Sequence, residues 1–378
     1  MKKKFIIITT VPVSLAFFKG QIQILKEKFE VELISSPGVN LDQMCDREKV
    51  KGHAIKMKRE ISVLNDIISL IQLIFTFSKL KPYIIHGSTP KAGLLSMIAG
   101  WCVQVPVRIY YLHGLRYQGT SGFKRWFLRS MEKISCFFAT DIFSVSEGVR
   151  KILLKDRITR KKINLIGNGS VNGIDTNYFS PANRDIPDLK KEYKLLPSHF
   201  VFGFVGRLVS DKGINELVEA FMLVYENYSN ARLLLVGNFE HELDPIKEGI
   251  KNEIFTNPKI IFVGYQTDIR PYLKMMDVFV FPSYREGFGI SLMEAAAMEV
   301  PAISSDIIGC NEIIEDGFNG KLILPRSKED LLKAMENFME DSLLVKQMSS
   351  VSRNSIIEKY EQNRLWKETL AEYVRISS

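Results

Sequence analysis

Residues 201–213 read V-F-G-F-V-G-R-L-V-S-D-K-G. The unbroken apolar run that ends in glycine predicts a strand buried on both faces, as in a parallel sheet covered by helices. Arg207 and Lys212 follow in a loop, and the breaker-free Ile214–Tyr225 predicts the helix behind it. Gly206 and Gly213 allow tight backbone at either end of that loop. Two cations beside a helix start can clamp a diphosphate, arginine bidentately and lysine as a mobile point charge. Such a loop at a strand's carboxyl end occupies the place where open α/β sheets bind ligands.

A second stretch answers it. Residues 286–294 read E-G-F-G-I-S-L-M-E, two carboxylates eight positions apart around a Gly-Phe-Gly turn, delivered by the strand Val278–Phe281. Ile290–Met298 has no breaker and predicts a helix opened by that turn. A helix start offers unpaired N–H groups and the positive end of the dipole, which suit a phosphate. The two loops are expected to converge on one site. It comprises the cations Arg207 and Lys212, the N–H groups of Phe288, Gly289 and Ile290, and the carboxylates Glu286 and Glu294, which suit sugar hydroxyls.

Outward from these loops, short β-branched runs alternate with helical segments along all 378 residues. In the first half the expected strands are Phe5–Thr9, Val31–Ser35, Tyr83–Gly87, Val107–Leu112, Asp141–Val145 and Ile163–Gly167. In the second they are Val201–Gly206, Arg232–Gly237, Ile260–Val263, Val278–Phe281, Pro301–Ser304 and Lys321–Leu324. This alternation predicts an α/β protein of two doubly wound parallel-sheet domains. Between Asn172 and Lys190 the pattern dissolves into Gly, Asn, Asp and Pro, which marks the junction. The expected organisation is an N-terminal Rossmann-like domain over 1–180, a second over 181–360, and a final helical segment over 361–378.

The opening M-K-K-K-F-I-I-I-T-T-V-P looks like a signal peptide, but Thr9, Thr10 and Pro12 interrupt the apolar run. A buried first strand is the better reading. Ile61–Phe77 carries Asn65, Asp66, Ser69, Gln72 and Thr76 at helical spacing, so a broad-faced amphipathic helix is expected rather than a membrane span. Cys45, Cys102, Cys136 and Cys310 show no metal-ligand spacing and suggest buried free thiols. No Asp-x-Asp pair occurs, and neither a metal nor a nucleic-acid motif is implied. Between Arg108 and Lys162 there are 13 Lys and Arg against four Asp and Glu, although the whole chain carries a net charge of only +8. Phe123, Trp126, Phe127, Phe137 and Phe138 lie among these cations. That combination suits either a solvated basic face or an anionic membrane surface.

F-V-G-R-L-x2-D-K-G, F-P-S-x2-E-G-F-G-x4-E-A-A-A, V-P-A-I-S-S-D and G-C-N-E-I-I-E-D-G-F-N-G together resemble family 4 of the retaining glycosyltransferases. The resemblance is dense over residues 200–325 and loose before them. It implies the GT-B architecture, two facing Rossmann-like domains with an interdomain cleft, and a last helix that returns to the first domain. By this resemblance Arg207 and Lys212 neutralise the donor diphosphate, Glu294 holds the ribose and Glu286 the transferred sugar. Gly206, Phe288, Gly289 and Ile290 shape the donor site. His113, in H-G-L-R directly after the strand Val107–Leu112, is placed near the donor sugar. Asn172 and Asp175 of N-G-I-D read as turn formers. One departure is that relatives carry a Gly-Gly pair after the first strand, whereas this loop reads T-T-V-P-V-S-L-A-F-F-K-G, with Ser14 as a candidate substitute.

The implied reaction is metal-independent hexosyl or N-acetylhexosaminyl transfer from a nucleotide sugar, UDP-linked by family habit, needing no further cofactor. The implied acceptor is a lipid-diphosphate-linked glycan for a bacterial surface polysaccharide, at the cytoplasmic face of the membrane and in peripheral contact with anionic lipid. A GT-B sugar-nucleotide epimerase, a phosphorylase-like enzyme and a two-domain sugar-binding protein are the alternatives.

Overall fold

The computed structural model describes residues 2–240 and 244–378. They form two compact units, Met1–Gly173 with Gln362–Ser378, and Ile174–Glu361.

The first unit is built on β1 (Lys3–Ile8), β2 (Phe29–Ser35), β3 (Lys51–Ala54), β4 (Ile84–Gly87), β5 (Val107–Leu112), β6 (Asp141–Ser144) and β7 (Ile163–Asn164). All pair in parallel, in the order β3-β2-β1-β4-β5-β6-β7. Phe5, Ile6, Ile7 and Ile8 are wholly buried, as a central strand covered on both faces requires. The order reverses between β1 and β4, which sets a topological switch point at their carboxyl ends. The crossovers are α1 (Gln21–Leu25), α2 (Val39–Glu48), α3 (Val63–Leu80), α4 (Pro90–Cys102), α5 (Gly122–Phe138) and α6 (Glu147–Lys155). Helix α4 packs against both α3 and α5, so these three lie side by side.

The chain's last helix, Gln362–Ser377, belongs to this unit and closes it. Its Trp366 lies against Gly20, where a Cβ would stand 2.5 Å from the indole, and donates to Asn172 Oδ1 at 2.7 Å. Tyr373 reaches the core, where its hydroxyl meets His86 Nε2 at 2.9 Å, and His86 Nδ1 meets the Ser88 hydroxyl at 2.9 Å. Burial pushes His86 down to about 3, so it is a neutral, fully partnered core histidine.

The second unit holds β8 (Phe200–Val205), β9 (Ala231–Val236), β10 (Ile260–Gly264), β11 (Val278–Phe281), β12 (Ala302–Ser305) and β13 (Gly320–Ile323). Their order, β10-β9-β8-β11-β12-β13, is again parallel and reverses between β8 and β11. The helices are α7 (Ile214–Asn227), α8 (Glu248–Thr256), α9 (Arg270–Leu273), α10 (Ile290–Ala297), α11 (Lys328–Glu340) and α12 (Ser342–Tyr360). The two doubly wound parallel-sheet domains expected from the alternating pattern are therefore present. The loops at Arg207 and Glu286 follow β8 and β11, the two strands at the second switch point.

One expectation is corrected. Cys102 is exposed and Cys45 half-buried, and only Cys136 and Cys310 are buried thiols. Helix α3 forms where an amphipathic helix was expected, but its first turns bury polar residues and leave apolar ones outside. Its polar Ser69 is buried, with Asn65 and Asp66 half-buried, while Leu64, Ile67, Ile68, Ile71 and Phe75 face outward.

Candidate functional site

The loop after β8 is pinned by its backbone. Gly206 N–H donates to Val236 O, and a short 3-10 turn over Ser210–Lys212 leads into Gly213, the N-terminal cap of α7. Gly213 has φ +71°, and a Cβ there would lie 2.2 Å from the Pro282 carbonyl oxygen. The start of α7 therefore backs directly onto the residue that follows β11, an approach only glycine allows. Gly213→Ala is expected to lower Tm by about 5 °C or more and to cut activity with it, readable by calorimetry.

Side chains then tie this loop to the one after β11. Tyr284 N–H donates to Asp211 O at 2.8 Å, and Arg285 Nε donates to Asp211 Oδ2 at 2.6 Å. The Tyr284 hydroxyl donates to Glu216 Oε1 on α7 at 2.6 Å, and Arg326 stacks over the Tyr284 ring at 4.5 Å. Lys212 Nζ pairs with the Glu286 carboxylate, and both side chains are largely out of solvent. The same ammonium lies 5.0 Å over the Phe281 ring. The expected convergence of the two loops is thus realised inside one unit.

Each cation already has an anionic partner. Arg207 pairs with Glu240 and Lys212 with Glu286. A diphosphate arriving here would share these cations with the carboxylates or displace them. Glu240, Asp211, Tyr284 and Arg285 were not singled out from sequence. No periodicity announces them, because every one of these links joins residues more than 30 positions apart.

The Gly-Phe-Gly turn differs from expectation in detail. Gly289 N–H donates to Gly309 O at 2.8 Å and Ile290 N–H to Phe288 O at 3.0 Å, so two of the three expected phosphate donors are engaged. Among the described residues, the N–H groups of Phe288 and Ser291 have no partner, which makes them the available donors at the start of α10. Gly309 supports the turn with φ +77°, and a Cβ there would stand 2.6 Å from Gly287 O. The Phe288 ring is buried against Tyr360, centroids 5.3 Å apart.

Glu294, one turn into α10, is half-buried, and its carboxyl has no hydrogen-bond partner among the described residues. Burial raises it to about 8, so at neutral pH it is mostly protonated until something donates to it.

His113 lies in the first unit, directly after β5. Its ring stacks on Phe17 at 5.2 Å and tilts against Tyr111 at 5.1 Å. Both ring nitrogens are out of solvent and lack a partner among the described residues, and burial lowers the imidazole to about 4. It is neutral at pH 7 and, unlike His86, unsatisfied. The loop after β1, where relatives have Gly-Gly, is here a 3-10 turn over Pro12–Phe18 with Ser14 half-buried. Asp175 acts as a turn former, its Oδ1 accepting from the N–H groups of Asn177 and Tyr178, and Asn172 accepts from Trp366. Among the described residues no three His, Cys, Asp or Glu side chains gather as a metal-ligand set.

Two doubly wound parallel-sheet domains are the architecture of the GT-B class of glycosyltransferases, and here paired cations and carboxylates stand at the switch point of the second. Residues 185–355 match the family described as glycosyl transferases group 1, and residues 22–169 match the glycosyl transferase 4-like domain. The capsular polysaccharide biosynthesis glycosyltransferase CapM of Staphylococcus aureus is 36% identical over 373 residues, covering 98% of this chain and 97% of its own. The UDP-Gal:alpha-D-GlcNAc-diphosphoundecaprenol alpha-1,3-galactosyltransferase of Escherichia coli is 28% identical over 341 residues, covering 88% and 86% respectively. HepE of Anabaena, solved in complex with UDP, superposes with a TM-score of 0.80 over 98% of this chain and 99% of its own, at 18% identity. The chain belongs to the glycosyl transferases group 1 family.

Proposed function

We propose that this chain transfers a hexosyl or N-acetylhexosaminyl group from a UDP-sugar to a lipid-diphosphate-linked glycan, with retention at the anomeric carbon. The product feeds a capsule or a related surface polysaccharide. The observation that carries this reading is the linkage of the β8 and β11 loops, which brings Lys212 and Glu286 together beside the start of α10. The names of the Staphylococcus and Escherichia relatives support the polysaccharide and lipid-diphosphate parts of it.

In this reading Arg207 and Lys212 stabilise the charge that builds on the departing diphosphate, helped by the N–H groups of Phe288 and Ser291. Protein cations do this work without a metal ion. Glu286, held by Lys212 before substrate arrives, receives hydroxyls of the transferred sugar. Glu294 accepts from the ribose. His113 donates from its neutral ring to the donor sugar. Retention follows if the acceptor attacks from the face the phosphate leaves, and the phosphate oxygen then takes the acceptor's proton. The enzyme works at the cytoplasmic face of the membrane, and the basic, aromatic α5 meets anionic lipid there.

The test is a panel of nucleotide sugars offered to the purified protein with and without a polyprenyl-diphosphate-linked sugar. UDP release that requires the acceptor is expected, with an α-linked product. Acceptor-independent conversion of the nucleotide sugar would instead identify an epimerase. Binding without any turnover would leave only a sugar-binding protein.

A further inference from the structure

Helix α3 presents the wrong face to water. Its inner side is fixed by polar contacts as well as by Leu73 and Phe77, which are buried. The Ser69 hydroxyl donates to Lys56 O at 2.7 Å, and Asp66 pairs with the buried Lys91 on α4 at 2.6 Å. Outward stand Leu64, Ile67, Ile68, Ile71 and Phe75, with Leu64 77% and Phe75 71% exposed. Their spacing of three and four places them on one stripe, and a helix of this length extends about 27 Å. Surface helices normally turn such a stripe inward, and a contiguous exposed apolar patch of this kind marks an interaction surface.

The charges around the stripe select its partner. Exposed Lys56 and Lys58 precede the helix, and exposed Lys79 and Lys81 follow its apolar face. Beyond α4, the parallel neighbour α5 exposes Phe123 and Trp126 beside Lys124. An apolar stripe with cations at both ends fits a leaflet of acyl chains under anionic head groups. Length and composition would also let α3 cross a bilayer. Crossing would require it to leave the unit, breaking the Asp66–Lys91 pair and exposing Leu73 and Phe77.

We infer that α3 lies in the plane of the membrane as a lipid-embedded docking helix, its Leu64–Phe75 stripe in the acyl layer and its flanking lysines on anionic head groups. This deepens the membrane address proposed above and rests on it for its biological sense, but not on the transfer chemistry. The α5 patch then acts as a second contact rather than the anchor.

Sedimentation with vesicles of phosphatidylglycerol and phosphatidylcholine, against phosphatidylcholine alone, tests it with the full chain. Wild type is expected to bind the anionic vesicles more tightly, and Leu64→Glu/Ile68→Glu to weaken that binding by about tenfold or more. Lys79→Glu/Lys81→Glu should weaken it too and reduce its salt dependence. Because all four side chains are exposed, Tm and nucleotide-sugar binding should stay unchanged. Equal vesicle binding by wild type and the Glu variant overturns the inference, as does a wild type that ignores lipid. A dimer in sedimentation velocity that the Glu variant dissociates, without vesicle binding, assigns the stripe to a second copy instead. Vesicle binding as expected in a protein that turns over no nucleotide sugar would refute the proposed reaction and leave this docking role standing.

Discussion

Lys212→Ala is expected to slow sugar transfer by roughly 10²–10³-fold, the cost typical of removing one preorganised donor from a charge-stabilising site. Its ammonium is held over the Phe281 ring and against Glu286, so it is fixed before substrate arrives. The substitution also strands the Glu286 carboxylate, which is only 13% exposed, and that alone lowers stability. A second variant separates the two effects. Lys212→Met/Glu286→Gln removes both charges and should recover most of the lost Tm without recovering turnover. Arg207→Ala, at a more exposed pair, should cost less stability and still slow transfer strongly. Near-normal turnover in both single variants would dismiss the clamp.

Glu294→Gln should flatten the pH dependence of donor binding. In the free protein the carboxyl sits at about 8, and ribose hydroxyls favour its ionised form. Binding therefore releases a proton, so wild-type affinity for a nucleotide sugar should rise between pH 6 and 8 and level off above. The rise is limited to roughly tenfold per pH unit. A nucleotide sugar is the right probe, since a terminal phosphate would add its own titration near about pH 6. The sign for stability is opposite. The folded state holds this proton between the unfolded carboxyl's range and about 8, so Glu294 makes stability fall as pH rises. Glu294→Gln should accordingly raise Tm at pH 8.5 while weakening donor binding there. A wild-type affinity that is flat from pH 6 to 8.5 would exclude this role.

The frame was largely legible because parallel strands buried on both faces leave continuous apolar runs such as Phe5–Ile8 and Val278–Phe281. Strand β3, K-G-H-A at the sheet edge, leaves no such run and is absent from the strands expected from sequence. Helix α3 formed where it was expected, but periodicity does not say which face turns inward, and here Asp66 and Ser69 have partners inside the unit. In the site, residue types and loop positions pointed to Arg207, Lys212, Glu286 and Glu294. What held them was not legible. The Arg207–Glu240 pair, the Asp211–Arg285 link and the use of the Gly289 N–H by Gly309 join residues distant in sequence and emerge only in the fold.

Calorimetric titration of wild type and Lys212→Ala with uridine and with uridine diphosphate tests the diphosphate clamp most directly. If another base gives the larger thermal shift, its nucleoside and diphosphate replace them. The expected result is a wild-type preference for the diphosphate of about 100-fold or more, reduced in the variant to about tenfold or less, with nucleoside affinity unchanged. An equal preference in the two proteins would contradict the clamp and move the phosphate site away from the loop after β8.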